Sequence, residues 1–415
     1  MKNPDVLVIG AGLAGLVAGA ILAKKGAKVL VIDELSQLGG RARTLEKDGF
    51  LIEYGPHAYL PQKSAFSKLC QELELKINWL EDEGIFKIIS KQIFPLESSE
   101  KERVGKFLER HSEPKSLYRK TISSLGELDE EDKNLLNFFS TFFFAEKPEK
   151  LSAGELGEFL LCLSQHDFHF FQIASTTEVL INGLREIIEK AQGKIKLFCR
   201  ALAIEIKGDY ASSVETSEGE LSPRAIVFTG APSSILQIAR ENIFEANDLK
   251  KLSKISPACA VVMDFGLREK VCDLKGWLVE PELGIIGRFP SNIDPSIAPQ
   301  DKQLSSWMIR LSERQITDPE AVRGAIRELR RRLKQLFEDF FALVEWERIL
   351  VVPNAFGFVS TFQQSIASRL GSSTLIKNLF LAGDSLGFEG RGAEVAIKSA
   401  VECARLCQEF LGGER

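Results

Sequence analysis

A glycine-rich segment near the N-terminus has the residue types and spacing needed to hold a phosphate group. The sequence GAGLAG occupies residues 10–15 and follows a strand-like run, 5–9. A helical run comes next, and a second strand-like run, 28–32, then ends at Asp33 and Glu34. Strand, glycine turn, helix, strand and acid follow each other in the order of a dinucleotide-binding β-α-β unit.

Each residue type in this segment has a physical role. Gly10 allows a tight turn, Gly12 lets the backbone approach a pyrophosphate, and Gly15 lets the helix pack closely on the sheet. The helix N-terminus offers free N–H groups and the positive end of a dipole to the phosphates. Asp33, 23 residues after Gly10, could accept hydrogen bonds from a ribose diol.

Two other interpretations of this segment compete. The nearly uncharged run 6–23 could be a signal peptide or a membrane span. Asp5 precedes that run, and its glycines and other small residues lower its hydrophobicity. The run also lacks the basic flank and the cleavage-site context of a signal peptide. A glycine-rich packing turn without a ligand is the second alternative. The full context of strands, helix and acid favours dinucleotide binding.

Composition narrows the class of protein. The chain has 415 residues, 44% of them hydrophobic and 27% charged, with a net charge of −5. These values indicate a globular protein of more than one domain, with no basic excess for nucleic-acid binding. Seven scattered cysteines without a CxxC pair, and four dispersed histidines, predict neither a zinc site nor disulfides. We therefore expect a reducing, cytoplasmic location.

A second motif lies near the other end of the chain. The sequence NLFLAGD at residues 378–384 predicts a buried strand that ends at Gly383 and Asp384. A glycine-rich loop follows, and a helix is expected from Ala393 to about residue 411. As in the first motif, a flexible turn delivers a helix N-terminus to a site of negative charge.

Together these motifs resemble those of a known flavoprotein superfamily. GAGLAG, the acid at the strand end and GGRART at 39–44 resemble the FAD-binding N-terminus of amine oxidases, protoporphyrinogen oxidases and carotenoid desaturases. FLAGD and the helix after it resemble the C-terminal flavin motif of the same superfamily. The superfamily most often has Glu at the strand end, so either Asp33 or Glu34 could serve the ribose.

The resemblance implies a role for individual residues. Arg41 would lie at the FAD pyrophosphate, and Asp384 near the ribityl chain and the pyrophosphate. The helix start at Ala393 would face the flavin pyrimidine edge, and the backbone of Ala201 would meet the adenine. His57 falls in a stretch near the cofactor and receives no catalytic role. The full set implied to bind FAD is Gly10, Ala11, Gly12, Leu13, Ala14, Gly15, Asp33, Glu34, Gly39, Gly40, Arg41, Gly55, Pro56, His57, Ala201, Gly383, Asp384, Gly392, Ala393 and Glu394.

The layout of the motifs predicts the fold class. We expect an α/β protein, α+β overall, with a Rossmann-like FAD-binding domain and a discontinuous second substrate domain of mixed sheet and helices. Residues 1–62, 174–250 and 350–415 are assigned to the FAD-binding domain. Residues 63–173 and 251–349 are assigned to the substrate domain. The two motifs must meet at one cofactor.

Three features favour an apolar substrate. The chain has 28 Phe but only 4 Tyr and 4 Trp, and many of the Phe crowd into residues 138–171. Some could line a cavity or touch a membrane, and the others could fill a helical core. The segment SNIDPSIAP at 291–299 resembles one in phytoene-desaturase-like and retinol-saturase-like proteins. Gly392 stands where amine oxidases usually place an aromatic residue that orients the amine.

The resulting hypothesis is a desaturase or saturase. It would transfer a hydride between a C–H bond of a small lipophilic, isoprenoid-like substrate and flavin N5. A flavin-containing amine oxidase or porphyrinogen oxidase is the alternative enzyme, and a non-catalytic flavin-binding protein is the alternative of another class. No acid, base or metal ligand is assigned.

A basic helix is the remaining prediction. Asp318 and the proline after it predict a helix start, and the helix is expected to run to about Phe341. It carries six basic residues between 323 and 334. Two interpretations stay open, a solvated face and peripheral docking on anionic lipid.

Overall fold

The structure is a computed structural model that describes residues 3–54, 57–61, 64–111, 113–126, 128–143, 148–239, 243–355 and 357–413. Its strands are β1 Val6–Ile9, β2 Val29–Ile32, β3 Thr44–Lys47, β4 Phe50–Glu53, β5 Trp79–Glu81, β6 Ile85–Ile89, β7 Gln92–Pro95, β8 Phe171–Ile173, β9 Lys194–Lys196, β10 Ala201–Lys207, β11 Tyr210–Thr216, β12 Gly219–Leu221, β13 Ala225–Phe228, β14 Cys259–Leu267, β15 Trp277–Glu280, β16 Ile285–Arg288, β17 Gln303–Leu311, β18 Val344–Val352 and β19 Leu379–Leu381. Its helices are α1 Leu13–Lys24, α2 Ala65–Leu73, α3 Ser98–Arg110, α4 Glu130–Ser140, α5 Ala153–Ser164, α6 Glu178–Lys190, α7 Ala246–Leu252, α8 Pro290–Ile293, α9 Glu313–Ile316, α10 Pro319–Leu336, α11 Phe340–Leu343 and α12 Ala393–Gly413.

A five-stranded parallel sheet carries both sequence motifs. Its strand order is β19-β13-β1-β2-β9, so the strand of the second motif lies two places from the strand of the first. The four residues of β1, β2 and β13 are all buried, because helices cover one face of the sheet and the three-stranded sheet β10-β11-β12 packs on the other. Burial on both faces explains why these strands are continuous apolar runs without alternation. Helix α1 packs against α6 and α12 over this sheet.

A seven-stranded sheet, with hydrophobic cores of its own, is the other large sheet of the described structure. Its order is β18-β14-β17-β16-β15-β6-β7, with every pair antiparallel except β15 and β6. Helix α10 covers one face through Ala325, Leu329 and Leu333, which are spaced at i, i+4 and i+8 on one side of the helix. Helices α3, α4 and α5 pack on the other face with a phenylalanine-rich core. The α/β class with parallel and mixed sheets is confirmed, and the domain boundaries stay a prediction.

Two elements end earlier than the sequence indicated. The helix expected to reach Phe341 ends at Leu336, because Phe337 leaves helical geometry (φ −136°, ψ 97°). The Phe337 ring then packs edge-on against Phe289 at 5.3 Å between centroids, inside the core. The residue types of the run 195–200 also predict a strand, and in the structure this strand ends at Lys196. Beyond it, Cys199 donates its backbone N–H to the carbonyl of Asp33 rather than continuing the strand ladder.

A buried ion pair ties α10 to the seven-stranded sheet. Arg332 of α10 contacts Glu280 of β15 at 2.5 Å, and both side chains are at most 10% exposed. Burial raises the pKa of Glu280 to about 7, although Arg332 opposes the shift. Because this carboxyl binds a proton more readily in the folded than in the unfolded chain, it contributes stability below its unfolded pKa. That contribution is lost as pH rises through 7.

We expect Glu280→Gln to change the pH dependence of unfolding in a defined direction. The free energy of unfolding of the native protein, relative to that of the variant, should fall between pH 5 and pH 8. Urea denaturation at several pH values measures this difference. A difference that rises with pH would show that attraction to Arg332 outweighs burial.

Candidate functional site

One cavity brings the two sequence motifs together. Its volume is about 1170 Å³, and it is bordered by Gly10 and Asp33 of the first motif and by Asp384 and Ala393 of the second. The cavity extends from the carboxyl edge of the parallel sheet to the aromatic side chains of the seven-stranded sheet and the helical layer. Ligands of open α/β sheets bind at this edge of the strands.

The three glycines of GAGLAG serve different functions. Gly10 has φ +110°, and a Cβ there would lie 2.3 Å from Thr229 Oγ1. A Cβ on Gly15 would lie 1.9 Å from the carbonyl oxygen of Gly10. In contrast, a Cβ on Gly12 would meet nothing within 4 Å, and Gly12 borders the cavity. Gly10 and Gly15 are therefore required by packing, whereas Gly12 leaves space for a ligand.

The start of α1 provides an anion site. The helix begins at Leu13, and its N-cap residue Gly12 is extended and supplies no side-chain cap. The first N–H groups of a helix have no partner within the helix, and the dipole favours negative charge there. The bare helix end and the space beside Gly12 fit the pyrophosphate of a dinucleotide.

Asp33 holds the glycine loop in place. Its Oδ2 accepts the N–H of Ala11 at 2.7 Å, and its Oδ1 accepts the N–H of Leu35 at 2.8 Å. Glu34 is exposed, and its carboxylate lies 3.4 Å from Arg200 Nε. Both acids border the cavity. Because the short side chain of Asp33 is committed to backbone donors, Glu34 is the freer of the two for a ribose.

An ion pair joins the two motifs. Arg41 Nη2 lies 2.7 Å from Asp384 Oδ1, although the two residues are 343 positions apart. Asp384 follows β19, and Arg41 lies in the turn after β2. The pair places a guanidinium and a carboxylate together on the cavity wall, where the resemblance expects the pyrophosphate and the ribityl chain.

Glu394 has a structural partner. Its Oε1 accepts the N–H of Ala65, the first residue of α2, at 2.8 Å. It also lies 3.4 Å from Lys398 Nζ. The side chain therefore ties the start of α12 to the start of α2, and the backbone of Ala393 remains at the cavity.

Most of the residues expected at FAD border this cavity, with two exceptions among those described. Ala11 is a fully buried member of the glycine loop, and Gly15 packs against the Gly10 carbonyl from within α1. Gly55 and Pro56 lie outside the described residues. The expected residues that border the cavity are Gly10, Gly12, Leu13, Ala14, Asp33, Glu34, Gly39, Gly40, Arg41, His57, Ala201, Gly383, Asp384, Gly392, Ala393 and Glu394.

A histidine and a glutamate form a pair that the sequence did not reveal. His57 borders the cavity, and its Nδ1 lies 3.1 Å from Glu53 Oε1 and 3.3 Å from Thr177 Oγ1. Burial alone would raise the pKa of Glu53, but His57 and the buried guanidinium of Arg288 lower that pKa to about 2. Glu53 is therefore an anion that orients the imidazole. The i, i+4 spacing of the two residues was the available signal.

The other wall of the cavity is aromatic. Phe142, Phe143, Phe159, Phe170 and Trp277 all border it. Their rings contact one another, as in the pair Phe170 and Trp277 at 5.7 Å between centroids. Three other residues of the phenylalanine-rich stretch, Phe138, Phe139 and Phe168, lie in the adjacent core and do not border the cavity. Phe144 lies outside the described residues. Some of these phenylalanines therefore line the cavity, and others fill the helical core.

Within the described residues, no group of three or more His, Cys, Asp or Glu side chains is placed to hold a metal ion. None of the described helices has the length and apolar character needed to cross a membrane.

Comparison with known proteins identifies the family. A family model described as flavin containing amine oxidoreductase matches residues 13–408. Carotenoid 3,4-desaturase of Haloarcula japonica is 47% identical over 60 residues, 14% of this chain and 12% of the relative. All-trans-retinol 13,14-reductase of Homo sapiens is 31% identical over 128 residues, 28% of this chain and 21% of the relative. A solved oxidoreductase from Methanosarcina mazei has a TM-score of 0.78 at 17% identity, covering 96% of this chain and 99% of that chain.

The fold and site define an FAD-dependent oxidoreductase, and the chain belongs to the flavin containing amine oxidoreductase family. The solved structure shows the fold. The curated relatives are matched over only 12% and 21% of their lengths, so the substrate must be argued from the site. The bare helix start, the open face of Gly12 and the size of the cavity all fit FAD.

We expect the same substitution at two glycines to have separable effects. Gly12→Ala should fold normally and bind FAD at least tenfold more weakly, because its methyl group occupies the space left for the pyrophosphate. Gly15→Ala should lower the free energy of unfolding of the apoprotein by about 1–3 kcal/mol through overpacking. Flavin titration and urea denaturation measure the two quantities. Equal flavin affinity in Gly12→Ala and the native protein would contradict this assignment.

Proposed function

We propose that the protein is a desaturase or saturase. It transfers a hydride between a C–H bond of an apolar, isoprenoid-like substrate and the flavin. The observation that carries this proposal is the aromatic wall of Phe142, Phe143, Phe159, Phe170 and Trp277 in the cavity that both FAD motifs border. Such a wall binds an extended apolar molecule through buried area and excludes water from it.

The residue at position 392 argues against amine oxidation. Gly392 borders the cavity with φ +50° and has no side chain to orient a substrate amine. The similarity of short stretches to a carotenoid desaturase and a retinol reductase supports the same choice. Both names describe chemistry on polyenes.

Different residues would bind the cofactor, position the substrate and accept a proton. When bound, FAD supplies the acceptor or donor of a hydride. The glycine loop, Arg41 and the start of α12 would hold the cofactor, and the aromatic wall would position the substrate. Forming a carbon–carbon double bond releases one hydride and one proton, so a proton acceptor is also needed.

We propose that His57, which borders the cavity, takes that proton. Its known contacts, to Glu53 and Thr177, both use Nδ1. This leaves Nε2 as the ring nitrogen without a partner among the described residues. Because Glu53 is held as an anion, it would stabilise the imidazolium that forms.

The basic helix α10 favours a solvated face over lipid docking. Arg323, Arg330, Arg331 and Arg332 each form an ion pair with a glutamate. Their charges are thus largely compensated within the protein. We propose that the substrate reaches the cavity without a basic membrane anchor on this helix.

The function is tested by anaerobic reduction of the bound flavin. Mixing the holoprotein with an acyclic polyene should bleach the flavin absorption and yield a product with one more double bond. A saturase would instead reoxidise reduced flavin when the polyene is added. Putrescine and a porphyrinogen serve as comparison substrates. The proposal would be refuted if either of these compounds bleached the flavin while polyenes neither reduced the oxidised flavin nor reoxidised the reduced flavin.

We expect His57→Gln to slow flavin reduction by the polyene by about 10²- to 10⁴-fold, the usual contribution of a general base. The matched control is His169→Gln, because His169 pairs with Glu81 away from the cavity. Stopped-flow absorbance measures both rates. A rate for His57→Gln equal to that of the control would remove His57 from the proton transfer.

A further inference from the structure

Arg391 is a cation on the cavity wall beside the aromatic side chains. It lies in the loop before α12 and borders the cavity. Its guanidinium carbon lies 4.6 Å from the centre of the Phe143 ring. One Nη donates to Ser360 Oγ, and the other donates to the carbonyl of Phe143 at 3.3 Å. These contacts fix the plane of the guanidinium against the aromatic wall.

The charge of Arg391 has no partner in the described part of the chain. No carboxylate there lies within ion-pair distance, and the two carboxylates whose charges raise the pKa of Arg391 are engaged elsewhere. Glu155 pairs with Arg369, and Asp384 pairs with Arg41. Burial lowers the pKa of Arg391 to about 10, which leaves it charged at neutral pH.

A cation without a counter-charge in an apolar cavity is unfavourable unless an anionic ligand balances its charge. A guanidinium has five N–H donors, and the two hydrogen bonds described use only two of them. The remaining donors match a planar carboxylate. The position of Arg391 against Phe143 places these donors beside the aromatic wall rather than at the glycine loop.

We propose that Arg391 binds a carboxylate at one end of the apolar substrate. This inference rests on the proposed function for the identity of the apolar part, and it narrows the substrate class to amphiphiles with an acidic end. Arg391 would fix the orientation of the molecule along the aromatic wall, and so determine which C–H bond reaches the flavin.

The test uses two simple amphiphiles in place of the unidentified substrate. Dodecanoate and dodecanol share an apolar chain and differ in the charged end. Each is titrated into the holoprotein below its aggregation concentration, and flavin absorbance or calorimetry reports binding. The native protein should bind dodecanoate at least tenfold more tightly than dodecanol, as expected for charge-assisted hydrogen bonds in a desolvated site.

Variants assign the preference to Arg391. Arg391→Met keeps the apolar stem and removes the charge, so its preference for dodecanoate should disappear. Arg391→Lys keeps the charge and should retain part of the preference, which covers the case in which the methionine variant does not fold. The control is Arg327→Gln, because Arg327 is exposed on α10 and outside the cavity. That control should keep the full preference.

Three results would overturn the inference. These are equal affinity of the native protein for the two compounds, binding of neither, and a preference that survives in Arg391→Met. Loss of bound FAD in Arg391→Met with the dodecanoate preference retained in the remaining holoprotein would assign Arg391 to the cofactor phosphates instead. Failure of polyenes to change the flavin, with an Arg391-dependent preference for dodecanoate, would refute the proposed function alone.

Discussion

The close contact between the backbones of Gly10 and Gly15 is the constraint on which the rest of the site depends. A single methyl group at Gly15 would lie 1.9 Å from the Gly10 carbonyl, so α1 sits as near to the end of β1 as a polypeptide allows. This contact fixes the helix start at the edge of the sheet, where Asp33 fastens the loop from the other side. The other residues that would hold the cofactor are positioned relative to that helix end.

The C-terminal part of the site is held against this frame by pairing across the whole chain. Strand β19 joins the sheet beside β13, and Asp384, just beyond it, meets Arg41. Helix α12 packs on α1, and Glu394 fastens its start to α2. Segments far apart in sequence thus form one rim of the cavity, and the aromatic residues of the inserted segments form the opposite wall.

The sequence indicated the parallel sheet, both motifs and most of the cavity rim, because these depend on local patterns of glycine, apolar and acidic residues. The sequence predicted an end of α10 that is too late, because the departure of Phe337 from the helix depends on its packing against Phe289 in a distant segment. It could not separate the phenylalanines that border the cavity from those of the core, because both groups occur in the same helical stretch. Arg391 and the Glu53–His57 pair went unassigned, since their roles depend on which charges lie nearby in space.

The order of segments along the chain has a consequence for biosynthesis. The rim of the cofactor cavity includes Asp384 and the start of α12, and α12 covers α1 with buried residues as far along as Cys407. Until that helix has left the ribosome, α1 exposes an apolar surface and the flavin site has only part of its wall. Capture of FAD must therefore follow the synthesis of α12, and the nascent α1 surface is where we expect a chaperone to bind first.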